Sequence, residues 1–197
     1  PIAQTHAQED QEDSATAGEA DVAGLNVGAE DVVVGITASG RTPYALGALS
    51  CARAAGALTI GVACNKHTPL EALADLTIAP VVGPEVLTGS TRLKAGSAQK
   101  MVLNMLSTGC MILLGKTFGN LMVDVQATNL KLHRRALSIV QSVTGQDQAA
   151  AEELLRAGAG EVKTAIVLGM TALTPAAARE RLAAHAGVLR ATLDELL

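Results

Sequence analysis

The chain has 197 residues, nearly half of them apolar, a formal net charge of −4, and only Tyr44 and Phe118 as aromatic side chains. That length buries a sizeable core and fits one domain, or one domain with a small appendage. The acidic balance and the lack of base-stacking aromatics argue against a nucleic-acid binder.

Residues 1–31 carry Glu9, Asp10, Glu12, Asp13, Glu19, Asp21, Glu30 and Asp31 with no Lys or Arg before Arg41, and composition alone reads them as a solvated lead-in. From Val32 the pattern becomes regular. Val32–Thr37 is a continuous apolar run, of the kind a parallel strand buried on both faces requires. A helix follows, with Thr42 as its cap, Pro43 in its first turn, Leu46, Leu49, Ala52 and Ala55 in one stripe, and Gly56 closing it. Leu58–Ala63 and Leu76–Ala79 are two further strands on either side of a short helical segment near Leu70–Ala74. The resulting βαβαβ order predicts parallel pairing with right-handed crossovers.

A long helix is predicted from about Lys94 to Gly115, burying Ala95, Ala98, Val102, Met105, Gly109 and Ile112, and another from about Met122 to Ser142. After Gly145 the composition turns Ala-rich. Helices are expected near Gln148–Ala157, Glu161–Gly169 and Pro175–Leu196, the last with a seam of Leu182, Ala186, Leu189 and Leu193. The predicted organisation is an α/β domain over residues 1–144 and a small helical appendage over 145–197.

Cys51, Cys64 and Cys110 sit in apolar runs without C-x-x-C spacing, so buried reduced thiols are expected. His6, His67, His133 and His185 have no spacing suited to a metal, and no metal or organic cofactor is expected. The apolar stretch Met101–Leu114 is interrupted by Asn104, Ser107, Thr108 and Gly109, so it does not read as a membrane span; with no signal peptide visible, the cytoplasm is the expected compartment.

Two segments carry the chemistry. Ser39, Gly40, Arg41 and Thr42 fall between a strand's carboxyl end and the next helix, where open α/β sheets bind ligands. Glu85, Ser90, Thr91, Arg92 and Lys94 belong to a second loop of hydroxyls, glycines and bases that runs into the long helix. Small residues let backbone N–H groups approach an anion, hydroxyls add donors, and a helix dipole points to the same place. A phosphorylated ligand held from two sides is expected, with Glu85 either bonding a sugar hydroxyl or serving as an ordinary loop acid. G-x-G-x-x-G and G-x-x-x-x-G-K-[ST] are both absent, which removes support for dinucleotide and P-loop functions.

In order along the chain, VVGITASGRTPYALG (33–47), PVVGPEVLTGSTRLKAG (80–96), QKMVLNML (99–106) and GKTFGNLMVDVQATN (115–129) closely resemble the N-acetylmuramic acid 6-phosphate etherase family, over nearly the whole sequence. The resemblance implies a sugar isomerase (SIS) fold, a flavodoxin-like parallel sheet flanked by helices. It further implies a homodimer that acts on a phosphorylated amino sugar without cofactor, and cleavage of the D-lactyl ether to N-acetylglucosamine 6-phosphate and D-lactate in cell-wall recycling. The family's catalytic Glu in a Glu-Gly-Ala-Glu-Asp-type segment matches Glu12, although Asp10-Gln11 stands in place of Gly-Ala. The family's first phosphate loop and its Ala-Ser-Glu segment with the proton-donor Glu find no counterpart, so weak or absent activity is expected of these 197 residues, with sheet and core surface left uncovered. A non-catalytic phosphosugar-binding regulator resembling glucokinase regulatory protein is the alternative.

Overall fold

The computed structural model describes residues 11–197. They form two compact units that divide between Met105 and Leu106. In the first, α1 (Ala15–Ala23) is capped by the Ser14 hydroxyl, which accepts from the Ala17 amide. An ordered helix therefore stands where composition alone implies a solvated lead-in; Glu9, Asp10 and His6 lie outside the described residues.

The predicted alternation follows: β1 (Val32–Ile36), α2 (Pro43–Ala54), β2 (Leu58–Val62), α3 (Pro69–Leu73) and β3 (Leu76–Ile78). The strands pair in parallel in the order β1-β2-β3, with Val34 beside Ile60 and Ile60 beside Leu76. On one face Gly35 and Gly61 make room for Leu49 of α2 and Leu70 of α3, both fully buried. The opposite face does not follow the expectation of burial on both sides. Val32, Leu58 and Leu76 are 55%, 43% and 56% exposed there, because α2 and α3 both pack on the Gly35–Gly61 face.

α1 lies across α2 at two glycines: an added Cβ at Gly18 would stand 2.1 Å from the Tyr44 carbonyl oxygen, and one at Gly47 would stand 2.1 Å from that of Ala15. Backbone meets backbone at this crossing. The Tyr44 hydroxyl, donating to Asp21 at 2.8 Å, and the Tyr44 amide, donating to the Glu12 carbonyl at 3.0 Å, fasten it from both ends.

α4 (Ala95–Leu113) forms as predicted, but only Ala95 and Val102 of its expected stripe are buried; Met105 and Ile112 are exposed. Cys110, also on α4, is exposed and Cys51 half-buried, so only Cys64 meets the expectation of a buried thiol. In the second unit, the helix expected from Met122 starts late. Gly119, at φ 58°, and Asn120 instead form a two-residue turn between β4 (Thr117–Phe118) and β5 (Leu121–Met122). Asn129 then caps α5 (Leu130–Thr144) through the Leu132 amide at 2.9 Å.

α6 (Gln148–Ala157) and α7 (Val162–Met170) stand where they are predicted. The expected final helix is two, α8 (Pro175–Ala184) and α9 (Leu189–Leu196), because Ala186 (φ 51°) and Gly187 (φ 75°) turn left-handed between them. Leu182, Leu189 and Leu193 are buried in a core that runs from Val123 to Leu193. The division at Met105 thus lies upstream of residue 144, where the helical appendage was expected to end the α/β domain, because α5 packs on α6 and α7.

Gly47→Ala is expected to force α1 away from α2, since backbone rather than a flexible side chain would meet the new methyl. A loss of about 2–3 kcal/mol in urea-unfolding stability is expected. An unchanged midpoint would show that α1 does not dock on α2 in solution.

Candidate functional site

The site is assembled at the carboxyl ends of the parallel strands. After β1, the Thr37 hydroxyl sits 2.7 Å from that of Thr42 and 3.3 Å from that of Ser39, and Ser39 Oγ accepts from the Arg41 amide at 3.1 Å. Thr42 holds the N-cap position of α2 but makes no side-chain cap bond, because its hydroxyl is turned to Thr37. Gly40 takes φ 71°, and a Cβ there would stand 2.5 Å from Thr68 Oγ1. Its carbonyl accepts from the Leu70 amide at 3.1 Å. Ser39, Gly40, Arg41 and Thr42 are thus wedged into one tight turn, with three hydroxyls converging and Arg41 exposed.

Glu12 is delivered to the same place by the chain. Its carbonyl accepts from the amide of Tyr44, in the first turn of α2 and two residues beyond Thr42. Its side chain is exposed, whereas acid–base work by a carboxyl group is favoured by burial.

After β2, Cys64 and Asn65 reach back to β1: the Cys64 amide and Asn65 Nδ2 each donate to the Ala38 carbonyl at 3.0 Å. A cleft of about 200 Å³ opens there, with Ala38, Cys64 and Asn65 on one side and Glu85, Thr88 and Thr91 on the other. Of the second predicted loop, Glu85 and Thr91 therefore line the cleft, while Ser90, Arg92 and Lys94 do not. The Lys94 ammonium donates to the Pro84 carbonyl at 2.8 Å. The Glu85 carboxylate accepts from the Lys94 amide at 3.1 and 3.0 Å and from the Ala95 amide at 3.0 Å. These bonds, that of Ala95 foremost, hold its carboxyl below the usual range. Burial, aided by the nearby Glu85 charge, pushes the Cys64 thiol up.

Thr37, Cys64 and Asn65 escape sequence reasoning. The signal that finds them is positional: each follows a strand's carboxyl end, as Ser39 does.

The second unit carries a larger cavity of about 740 Å³. Lys163, its side chain only 12% exposed, donates to the Gly187 carbonyl at 2.8 Å and faces Asp124 Oδ1 at 3.2 Å, while Lys116 pairs with the other carboxylate oxygen. Across the cavity Arg179 bonds Glu161 at 2.9 Å. Burial raises the Asp124 pKa, but the hydrogen bonds and charges of Lys116 and Lys163 outweigh it, so the carboxyl stands below its ordinary value. Among the described residues no group of three His, Cys, Asp or Glu side chains is placed to hold a metal, and no helix is long and apolar enough to cross a membrane.

Comparison with known proteins matches the SIS domain over residues 12–109 and the C-terminal lid domain of glucokinase regulatory protein over residues 119–163. N-acetylmuramic acid 6-phosphate etherases of Salmonella schwarzengrund (strain CVM19633) and Salmonella agona (strain SL483) are each 54% identical over 194 residues, 98% of this chain. The chain spans 65% of the length of these relatives.

The Lys116–Asp124–Lys163 cluster makes the second unit acid-sensitive. Because the folded pKa of Asp124 is depressed, its stabilisation is fully present above the unfolded value of 3.8 and is lost as pH falls through the folded value. Asp124→Asn is expected to cost about 1 kcal/mol near neutral pH after solvent screening, with the difference from the parent vanishing in strong acid. Parallel stability–pH curves for the two proteins would contradict this.

Proposed function

We propose that this chain, a SIS-domain relative of the N-acetylmuramic acid 6-phosphate etherases, binds a phosphorylated amino sugar at the carboxyl edge of its sheet and serves cleavage of the sugar's D-lactyl ether. The products are N-acetylglucosamine 6-phosphate and D-lactate. One observation carries the reading: the Tyr44–Glu12 hydrogen bond sets the candidate catalytic residue beside the Ser39–Thr42 turn, within 54% identity over nearly the whole chain.

In the open-chain aldehyde form of the sugar, a base removes the proton at C2, the ether bond at the neighbouring carbon breaks, and the departing lactate oxygen takes a proton. Water then adds to the unsaturated aldehyde. Glu12 is the residue assigned to acid–base work, and the hydroxyls of Ser39, Thr42 and Thr91, the amide of Gly40 and the charge of Arg41 are assigned to the phosphosugar. Ser90, Arg92 and Lys94, outside the cleft wall, act in this reading through loop shape and local positive charge. The exposed setting of Glu12 makes slow turnover the expectation for these 197 residues. The reading carries with it a cytoplasmic homodimer that uses neither metal nor organic cofactor.

The lid-domain match over residues 119–163 favours a second reading, a phosphosugar-binding regulator without catalysis. D-lactate release separates the two. The parent chain is expected to release D-lactate slowly from N-acetylmuramic acid 6-phosphate, and Glu12→Gln to lower that rate by about 10²- to 10⁴-fold while sparing binding of N-acetylglucosamine 6-phosphate. Release unaffected by Glu12→Gln would remove Glu12 from the chemistry. Binding without release in both proteins would favour the regulator.

A further inference from the structure

We propose that Glu85 is a positioning residue, a carboxylate clasp that ties off the loop of residues 86–93 and thereby sets Thr88 and Thr91 as one wall of the cleft; this rests on the phosphosugar reading above. Helix α4 starts at Ala95, and the residue before it, Lys94, has no side-chain acceptor to satisfy the orphan amides of a first turn. Glu85 supplies one from ten positions upstream. Oε1 accepts from the amides of Lys94 and Ala95, and Oε2 accepts from Lys94 again, at 3.0–3.1 Å.

The closure is double. While the carboxylate of Glu85 holds the backbone of Lys94, the ammonium of Lys94 holds the backbone of Pro84 at 2.8 Å, so both strands of the loop's neck are fastened to each other. Cys64, at the end of β2, adds its thiol to the Ala95 carbonyl at 3.8 Å, which ties the neck to the opposite wall of the cleft.

Inside the loop little else resists disorder. Val86, Leu87 and Leu93 are 75%, 68% and 58% exposed, and the internal backbone bonds run from the Ser90 amide to Leu87 and from the Arg92 amide to Ser90. Ordering such a segment costs conformational entropy at every residue, which these two bonds do not offset. The neck is where the loop's geometry is decided. The carboxylate also fills the helix N-terminus that the loop's composition reserves for phosphate, which leaves the hydroxyls of the loop, not those two amides, to face a ligand.

The test compares the parent with Glu85→Ala, Glu85→Gln and, as a control, Asp147→Ala, which removes an equivalent cap from α6 far along the chain. Calorimetric affinity for N-acetylglucosamine 6-phosphate, melting temperature, and amide exchange over residues 86–95 without ligand are measured for each. Glu85→Ala is expected to weaken binding about tenfold and to speed exchange across the loop. Glu85→Gln, which keeps one acceptor oxygen at the neck, is expected to recover part of both. Asp147→Ala is expected to lower the melting temperature with affinity unchanged. Parent-like affinity in Glu85→Ala would overturn the clasp's role even if the melting temperature fell, and slow exchange in that variant would overturn the clasp itself. Absence of binding by the parent chain would instead bring down the phosphosugar reading, and with it the clasp's part in binding.

Discussion

Parallel pairing of β1, β2 and β3 is the constraint on which the site depends. With Gly35 beside Gly61 and Val62 beside Ile78, the three chains leave the sheet on the same edge. Ala38, Cys64 and the loop after β3 then meet at one edge. An antiparallel arrangement would send alternate loops to opposite ends. The hydrogen bonds of Cys64 and Asn65 to the single Ala38 carbonyl carry this alignment past the last ladder residue and into the cleft wall.

Two kinds of polar organisation appear, one in each unit. In the turn after β1, neutral hydroxyls hold one another, as in Thr37, Ser39 and Thr42, and remain able to rotate toward an acceptor. In the second unit, charge is paired with charge, the largely buried Lys163 meeting the carboxylate of Asp124 at 3.2 Å.

The sheet's second face tells a further physical story. Val32, Ile36, Leu58 and Leu76 form an apolar surface in register across three strands. Parallel sheets are ordinarily covered on both faces. Its strands therefore read in sequence as fully buried, while in the structure Val32, Ile36, Leu58 and Leu76 stay exposed beside a fully buried Val62.

The continuous apolar runs, the Thr-Pro helix starts and the apolar helical stripes were sufficient to locate the three parallel strands, α2, α3, α4, α6 and α7, because those signals are local and each is enforced by backbone geometry within a few residues. The Ser39–Thr42 turn was legible for the same reason. Where two local signals compete, sequence misplaces the element. Gly119-Asn120 makes a hairpin turn, so the helix read from Met122 begins only at Leu130, and Ala186-Gly187 interrupts what reads as one helix. Tertiary structure alone decided that α1 docks through Gly18 and Gly47, that Glu85 spends its charge on the amides of α4, and that Lys94 points to Pro84 rather than into the cleft. Those outcomes depend on partners 9 to 32 residues away in sequence. Composition and spacing identify which groups can carry charge and hydrogen bonds, but the partner each group takes is settled only when the folded chain brings the acceptor within about 3 Å.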